Sequence, residues 1–182
     1  MNTQLDILNR VRSLDNKTVL LAIEELRARS MLADGALSGA TLCYAQLQDA
    51  DLMSADLRSV DFHQAHLEYA NLSGANLHQA KLTRTNLHGA NLDQADLSEA
   101  DFYKTNLRRV LNLTDKQLST AKRLWGSIMP DGEPYDGRYR LAGDLELAQW
   151  ANVDIYDPEA MAKFYGVSVE TYQAHNSSVE VA

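Results

Sequence analysis

Residues 70–99 read ANLSGANLHQAKLTRTNLHGANLDQADLSE, with leucine at every fifth position from Leu72 to Leu97. The same period runs from Leu32 to Leu107, with leucine or phenylalanine at sixteen successive positions and usually alanine two residues earlier. A helix turns about 100° per residue and would spread this period around its surface, while a single strand alternates every two residues and would lose its phase. The chain must therefore turn a corner once per repeat, which predicts a solenoid of stacked coils.

The predicted interior of the solenoid consists of the residues at the five-residue positions. From the third repeat onward these are Leu42, Leu47, Leu52, Leu57, Phe62, Leu67, Leu72, Leu77, Leu82, Leu87, Leu92, Leu97, Phe102 and Leu107. Thr85 and Thr105 replace the small inward alanine twenty residues apart, which favours a coil of twenty residues.

Several units resemble the A(D/N)LXX repeat of the pentapeptide-repeat family: Ala50-Asp51-Leu52, Ala75-Asn76-Leu77, Ala90-Asn91-Leu92 and Ala95-Asp96-Leu97. The resemblance implies an all-β solenoid with α appendages, in which four units form one coil of a right-handed quadrilateral β-helix. Sixteen units then make about four coils, a tower ~19 Å tall at ~4.8 Å per coil.

The flanking segments predict helices that cover the ends of the tower. Apolar residues at helical spacing, from Leu5 to Val11 and from Val19 to Leu26, predict two amphipathic helices. The chain therefore divides into an N-terminal helical cap at 1–30, the β-helix at 31–110, a C-terminal helical and aromatic module at 111–175 and a frayed tail at 176–182.

The C-terminal module contains eight of the thirteen aromatic residues, a density that predicts a packed unit. Thr114 to Gln117 has the spacing of a capping box, predicting a helix with Leu118, Ala121, Leu124 and Trp125 on one face. Asp157-Pro158 predicts the start of another helix that ends at Gly166, and Ser168 could cap a last helix to about His175. The module resembles C-terminal extensions of some pentapeptide-repeat proteins from photosynthetic bacteria, through Pro130-Asp131-Gly132, Tyr135-Asp136-Gly137-Arg138 and Phe164-Tyr165-Gly166-Val167-Ser168.

Composition restricts the classes of partner. The 17 basic and 25 acidic residues give a net charge of −8, which disfavours unassisted binding to phosphate backbones. No stretch is long and apolar enough to span a bilayer or to serve as a signal-peptide core, so we expect a cytoplasmic protein without membrane contact. Cys43 is the only cysteine, which excludes an internal disulfide.

Acidic residues are concentrated on two neighbouring faces of the predicted square. One face has no basic residue, and the next has only Arg58. We predict these two faces as a protein-interaction surface, with the candidate residues Asp34, Asp51, Asp56, Asp93, Asp96 and Glu99. Asp and Asn alternate freely just before the central leucine, so that position needs a hydrogen-bond acceptor rather than a charge.

Two alternatives concern DNA. Some family members bind DNA gyrase by imitating duplex DNA, but ten acidic and six basic residues leave this repeat region with a net charge of only −4. Residues 160–172 also resemble a helix-turn-helix, although the recognition helix from Val169 to His175 contains Glu170 and no Lys or Arg.

No segment carries a phosphate loop, a nucleophile elbow or a zinc-binding pattern. His63 and His66 flank a corner and would point from different faces. The sequence therefore predicts no catalytic residue, cofactor or metal. The predicted function is that of a non-enzymatic scaffold acting through an unknown protein partner, as a monomer or an end-to-end dimer.

Overall fold

The computed structural model describes residues 4–176, in which helices flank and interrupt a long non-helical segment. The predicted frayed tail lies outside the described residues from 177 onward, and residue 176 still belongs to the last helix. The helices are α1 (Gln4–Val11), α2 (Asn16–Ala28), α3 (Asp115–Leu118), α4 (Ala142–Trp150), α5 (Pro158–Tyr165) and α6 (Val169–Asn176).

The repeat segment is joined by parallel bridges between residues twenty apart, from Thr41 and Asp61 up to Asn91 and Leu111. Each bridge is a single residue, because only two or three residues of a side are extended before the next turn. Residues 4–176 therefore contain no extended strand, although an all-β solenoid was expected. The twenty-residue spacing places four five-residue sides in each coil.

From Leu37 to Leu107 the corners share one backbone feature. The residue two after the central leucine or phenylalanine has a positive φ, as at Ser54 (φ 56°) and Gly74 (φ 64°), so that the chain turns the corner in one step. Where Asp or Asn stands just before the leucine, its side chain accepts the N–H of the residue two further on, as Asp51 does from Met53 (3.2 Å) and Asn76 from His78 (3.0 Å). Aspartate and asparagine are thus equivalent at the corner, and charge there is incidental to the fold.

The interior is closed to solvent. All sixteen leucine and phenylalanine side chains of the repeat are buried, with no more than 3% of any residue exposed. Hydroxyl side chains form an internal column on one side: Thr85 donates to Phe62 O (2.7 Å) and Thr105 to Leu82 O (2.6 Å). Ser127 continues the column by donating to Phe102 O.

Helices α1 and α2 cover the first coil. The backbone of each side directs two carbonyls and one N–H toward this end, as the bonds from Leu52 N to Asn71 O, Ser54 N to Ser73 O and Asn71 N to Ala50 O illustrate. Three helix-region side chains supply donors to the first-coil carbonyls. Arg12 donates to Thr41 O (3.1 Å), Asn16 to Gln46 O (3.0 Å) and Gln48 O (3.1 Å), and Arg27 to Asp51 O (2.7 Å).

Bridges continue past residue 110, where the repeat segment was predicted to end. Asp101 pairs with Arg123, and Asn106 with Ile128, now twenty-two residues apart. The capping box of Thr114 and Gln117 is present, but α3 spans only one turn, so the predicted helix through Trp125 is wrong. Two extra residues and the short helix replace one side of the coil, after which Leu124 and Met129 return to the interior.

The opposite edge of the stack exposes mainly N–H groups, and α4 covers it. Asp144, in the first turn of α4 and fully buried, accepts from Trp125 N (2.9 Å) and Leu124 N (3.2 Å). Gly143 donates to Lys122 O (3.0 Å), and a Cβ there would lie only 2.8 Å from that oxygen. Only glycine lets the helix approach this closely.

Aromatic side chains hold the rest of the C-terminal module together. Trp125 stacks on Tyr103 of the repeat, contacts Phe164 and donates its indole N–H to Phe164 O (3.0 Å). Helix α5 begins after Asp157 with Pro158 and ends at Gly166, as the sequence predicts. Buried Asp136 pairs with Arg138 (2.9 Å) and His175 (2.8 Å), which anchors α6.

Candidate protein-interaction site

Of the six predicted interaction carboxylates, two are neutralised by arginine. Arg58 binds Asp56 through two nitrogens (2.8 and 2.6 Å), and this guanidinium holds the pKa of the Asp56 carboxyl below its usual range. Arg27 lies 2.9 Å from Asp51, which also accepts from the Asn71 side chain. The lower part of the two acidic faces therefore has less free charge than the count of carboxylates indicates.

The remaining four candidates lie in two places. Asp34 is exposed in the turn region that follows α2. Asp93, Asp96 and Glu99 lie in the last regular coil, and hydrogen bonds from Ser98 lower the pKa of Asp96 below its usual value. The upper end of the two faces therefore concentrates the accessible negative charge.

Asp93 and Asp96 line a groove that exists because α3 replaces one side of the next coil. The cavity has a volume of about 410 Å³. One wall is the corner between the two acidic faces, and the other is α3 with its flanking turns. The lining residues are Asp93, Gln94, Ala95, Asp96, Leu97, Asn112, Thr114, Lys116, Gln117 and Thr120.

At the floor of the groove, the ladder of backbone hydrogen bonds between successive coils is interrupted. One coil below, Gly74 N donates to Asp93 O (2.7 Å) and Leu77 N to Asp96 O (2.8 Å). The equivalent N–H groups of Gln94 and Leu97 find no protein acceptor anywhere in residues 4–176. The Gln117 amide instead donates to the carbonyls of Ala95 (3.0 Å) and Leu92 (2.8 Å). The groove thus combines two backbone donors with two carboxylates and Lys116.

Sequence reasoning identified Asp93 and Asp96 but not the groove between them. Its cause is the two-residue insertion around α3, which breaks the period and hides the resumption of the coil. The spacing of Leu118, Leu124 and Met129, six and five residues, is the only sequence signal for it.

Other chemically active side chains do not form a site. The two T-shaped pairs of Tyr44 with His63 and Tyr69 with His88 occupy the surface of the tower. Burial raises the pKa of the Cys43 thiol. Within the described residues, no cluster of three or more His, Cys, Asp or Glu side chains is placed to hold a metal ion, and no helix is long and apolar enough to cross a membrane.

Comparison with protein families finds one match to the repeat segment. The model for pentapeptide repeats matches residues 36–74 and 70–109, with eight copies. No curated protein is similar enough in sequence to count as a match.

Several solved structures are similar to part of this chain. A pentapeptide repeat protein from the Arabidopsis thaliana thylakoid lumen is 22% identical over 62% of this chain and 74% of its own, with a TM-score of 0.48. HetL, a pentapeptide repeat protein involved in heterocyst differentiation regulation in the cyanobacterium Nostoc, is 26% identical over 53% of this chain and 60% of its own, with a TM-score of 0.23.

QnrB1, a plasmid-mediated fluoroquinolone resistance protein, is 15% identical over 50% of this chain and 61% of its own, with a TM-score of 0.24. All three TM-scores lie below 0.5, so none of these proteins lends a property to this chain.

Proposed function

This chain belongs to the pentapeptide-repeat family, and we propose that it is a non-enzymatic cytoplasmic scaffold, a right-handed quadrilateral β-helix that docks a protein partner on its outer surface. The sealed interior is the first support for this proposal. Because every central leucine and phenylalanine is buried, the tower offers a ligand its outer walls, its corners and its two ends.

We assign the docking position to the groove between the upper acidic corner and α3. The observation that carries this assignment is the pair of unpaired N–H groups of Gln94 and Leu97. Backbone donors at a strand edge that lack a protein partner can be paired by an extended segment, which adds to the edge and offers its carbonyls. Asp93 and Asp96 beside these donors favour a segment that carries lysine or arginine.

Site-specific photo-crosslinking in the native host tests the assignment. A photoreactive residue replaces Lys116, which lines the groove, or Lys17, which is exposed on α2 and serves as the position control. We expect a discrete cross-linked protein from position 116 only. No adduct from position 116, or the same adduct from both positions, would contradict the assignment.

Charge removal gives a matched second test. In the Asp93→Asn/Asp96→Asn variant, asparagine at 96 keeps the corner acceptor while both charges are lost, so the tower should fold normally. Asp61→Asn makes the same change at a corner outside the groove. We expect the double variant to lose most of the adduct from position 116 and Asp61→Asn to keep it.

Gyrase mimicry is the competing function and has its own assay. Pairing of Asp51 with Arg27 and of Asp56 with Arg58 reduces the resemblance of the acidic faces to duplex DNA. We expect supercoiling by gyrase to be unchanged with this protein in excess, and inhibition or protection would favour mimicry. DNA binding by α5 and α6 is the remaining alternative, and it is opposed by Glu170 and by the lack of Lys or Arg in α6.

A further inference from the structure

Two aromatic side chains of the C-terminal module have no packing role. Trp150, at the end of α4, is 86% exposed, and Tyr156, in the loop before α5, is 80% exposed. The module buries its other large aromatics well: Trp125 packs between Tyr103 and Phe164, and Tyr165 between Tyr135 and Tyr172. Exposed aromatic side chains of this size are typical of interaction surfaces.

The loop that carries them is ordered by local hydrogen bonds. Asn152 has a left-handed φ of 58°, and Val153 N donates to Ala148 O (2.9 Å), which terminates α4 and folds the chain back. Asp154 then accepts the N–H of Tyr156 (2.9 Å). Trp150 at the end of α4 and Tyr156 in the turn before α5 therefore both have defined positions.

The charged residues of this stretch of the chain, between Arg140 and Lys163, have a single sign. Residues 141–162 contain five carboxylates and no Lys, Arg or His. One of the five, Asp144, is buried under α4, and the other four are exposed: Glu146, Asp154, Asp157 and Glu159. Glu146 lies four residues before Trp150, on the same face of α4, so that a carboxylate neighbours the indole ring.

We propose that Trp150 and Tyr156 form a second docking surface, separate from the groove, for an arginine- or lysine-bearing segment of a partner protein. Cationic side chains stack on the faces of Trp and Tyr rings, and the surrounding carboxylates attract the same charge. The same carboxylates repel nucleic acid and anionic lipid headgroups, so a basic protein segment is the occupant that fits both features.

Fluorescence titration of the full chain with a short peptide of alternating arginine and glycine tests the proposal. The chain has two tryptophans, and only Trp150 is exposed, so the peptide should change its emission. The change should disappear in Trp150→Phe, where Trp125 still emits. A peptide of alternating glutamate and glycine is the charge control and should cause no change.

Binding of the same labelled arginine peptide, measured by anisotropy, separates the contributions. Each of Trp150→Ala and Tyr156→Ala should weaken binding about two- to fivefold, the range for exposed cation–π contacts. Glu146→Gln should weaken it at low salt and have less effect at high salt. Tyr69→Ala, which removes an aromatic side chain 60% exposed on the tower beside Glu68, is the matched control and should leave binding unchanged.

Three outcomes would overturn the proposal. The first is absence of arginine-peptide binding to the wild-type chain, and the second is equal loss of binding in Tyr69→Ala and Trp150→Ala. The third is a concentration-dependent sedimentation coefficient that Trp150→Ala abolishes, which would assign the surface to a second copy of this chain. These three outcomes do not depend on whether the crosslinking experiment yields an adduct from position 116, so the two proposals can fail separately.

Discussion

Asp144→Asn should make the stability of the protein less dependent on pH. Burial raises the pKa of the Asp144 carboxyl from 3.8 to about 7, despite the hydrogen bonds from Trp125 N and Leu124 N. Between these values the folded chain binds more protons at this site than the unfolded chain. The free energy of unfolding therefore falls as pH rises through the window, and this contribution is constant below and above it.

The magnitude follows from the shift. About three pKa units at about 1.4 kcal/mol each amount to at most about 4 kcal/mol between about pH 4 and pH 7. Asparagine resembles the protonated carboxyl, since its side-chain oxygen can still accept from Trp125 N while the group carries no charge. We expect the two proteins to be nearly equal in stability near pH 4 and Asp144→Asn to be the more stable near pH 8.

Urea denaturation at several pH values measures this directly, because subtracting the two curves removes the titration of all other groups. Glu146→Gln, an exposed carboxylate on the same helix, controls for the loss of one charge. A difference between wild type and Asp144→Asn that does not vary with pH would refute the reasoning, since the buried carboxyl would then titrate as it does in the unfolded chain.

Three further substitutions test the tower and its end. Thr105→Val removes the internal hydroxyl bond to Leu82 O without changing volume and should lower the free energy of unfolding by about 0.5–1.5 kcal/mol; an unchanged urea midpoint would contradict the hydroxyl column. Gly143→Ala places a methyl group against Lys122 O and should destabilise by about 1–3 kcal/mol in the same assay. Leu72→Asp buries a charge in the middle of the stack and should abolish cooperative thermal unfolding, whereas Gln79→Ala, an exposed corner residue, should melt like the wild type.

The repeat could be derived from sequence because one rule acts sixteen times. A buried leucine or phenylalanine recurs at constant spacing, usually with Asp or Asn at the corner before it, so each unit supports the same interpretation as its neighbours. After Leu111 the same pattern continues in a coil that is two residues longer. Only two further central positions follow, Leu124 and Met129, and these are too few for the period to be recognised. The capping box at Thr114 was correctly identified, but it starts one turn of helix rather than a long one.

Only part of the candidate site could be predicted from the sequence. The charges of Asp93 and Asp96 are visible in the chain, but the unpaired N–H groups of Gln94 and Leu97 depend on which backbone lies above them. Likewise, Asp144 is an ordinary acidic residue in an apolar stretch until the structure places it over two backbone donors. Long-range placement of this kind has no signature in local composition.

The different chemistry of the two ends limits how the molecule can grow. Another copy could extend the tower only by displacing Arg12, Asn16 and Arg27 from one end or Asp144 from the other, so we expect no open-ended fibre. The contacts that cover the two ends do not, however, depend on how many coils lie between them. Inserting or deleting one twenty-residue coil in the middle should therefore change the height of the tower by one coil spacing and leave both covered ends intact. The number of coils thus sets the distance between the two ends.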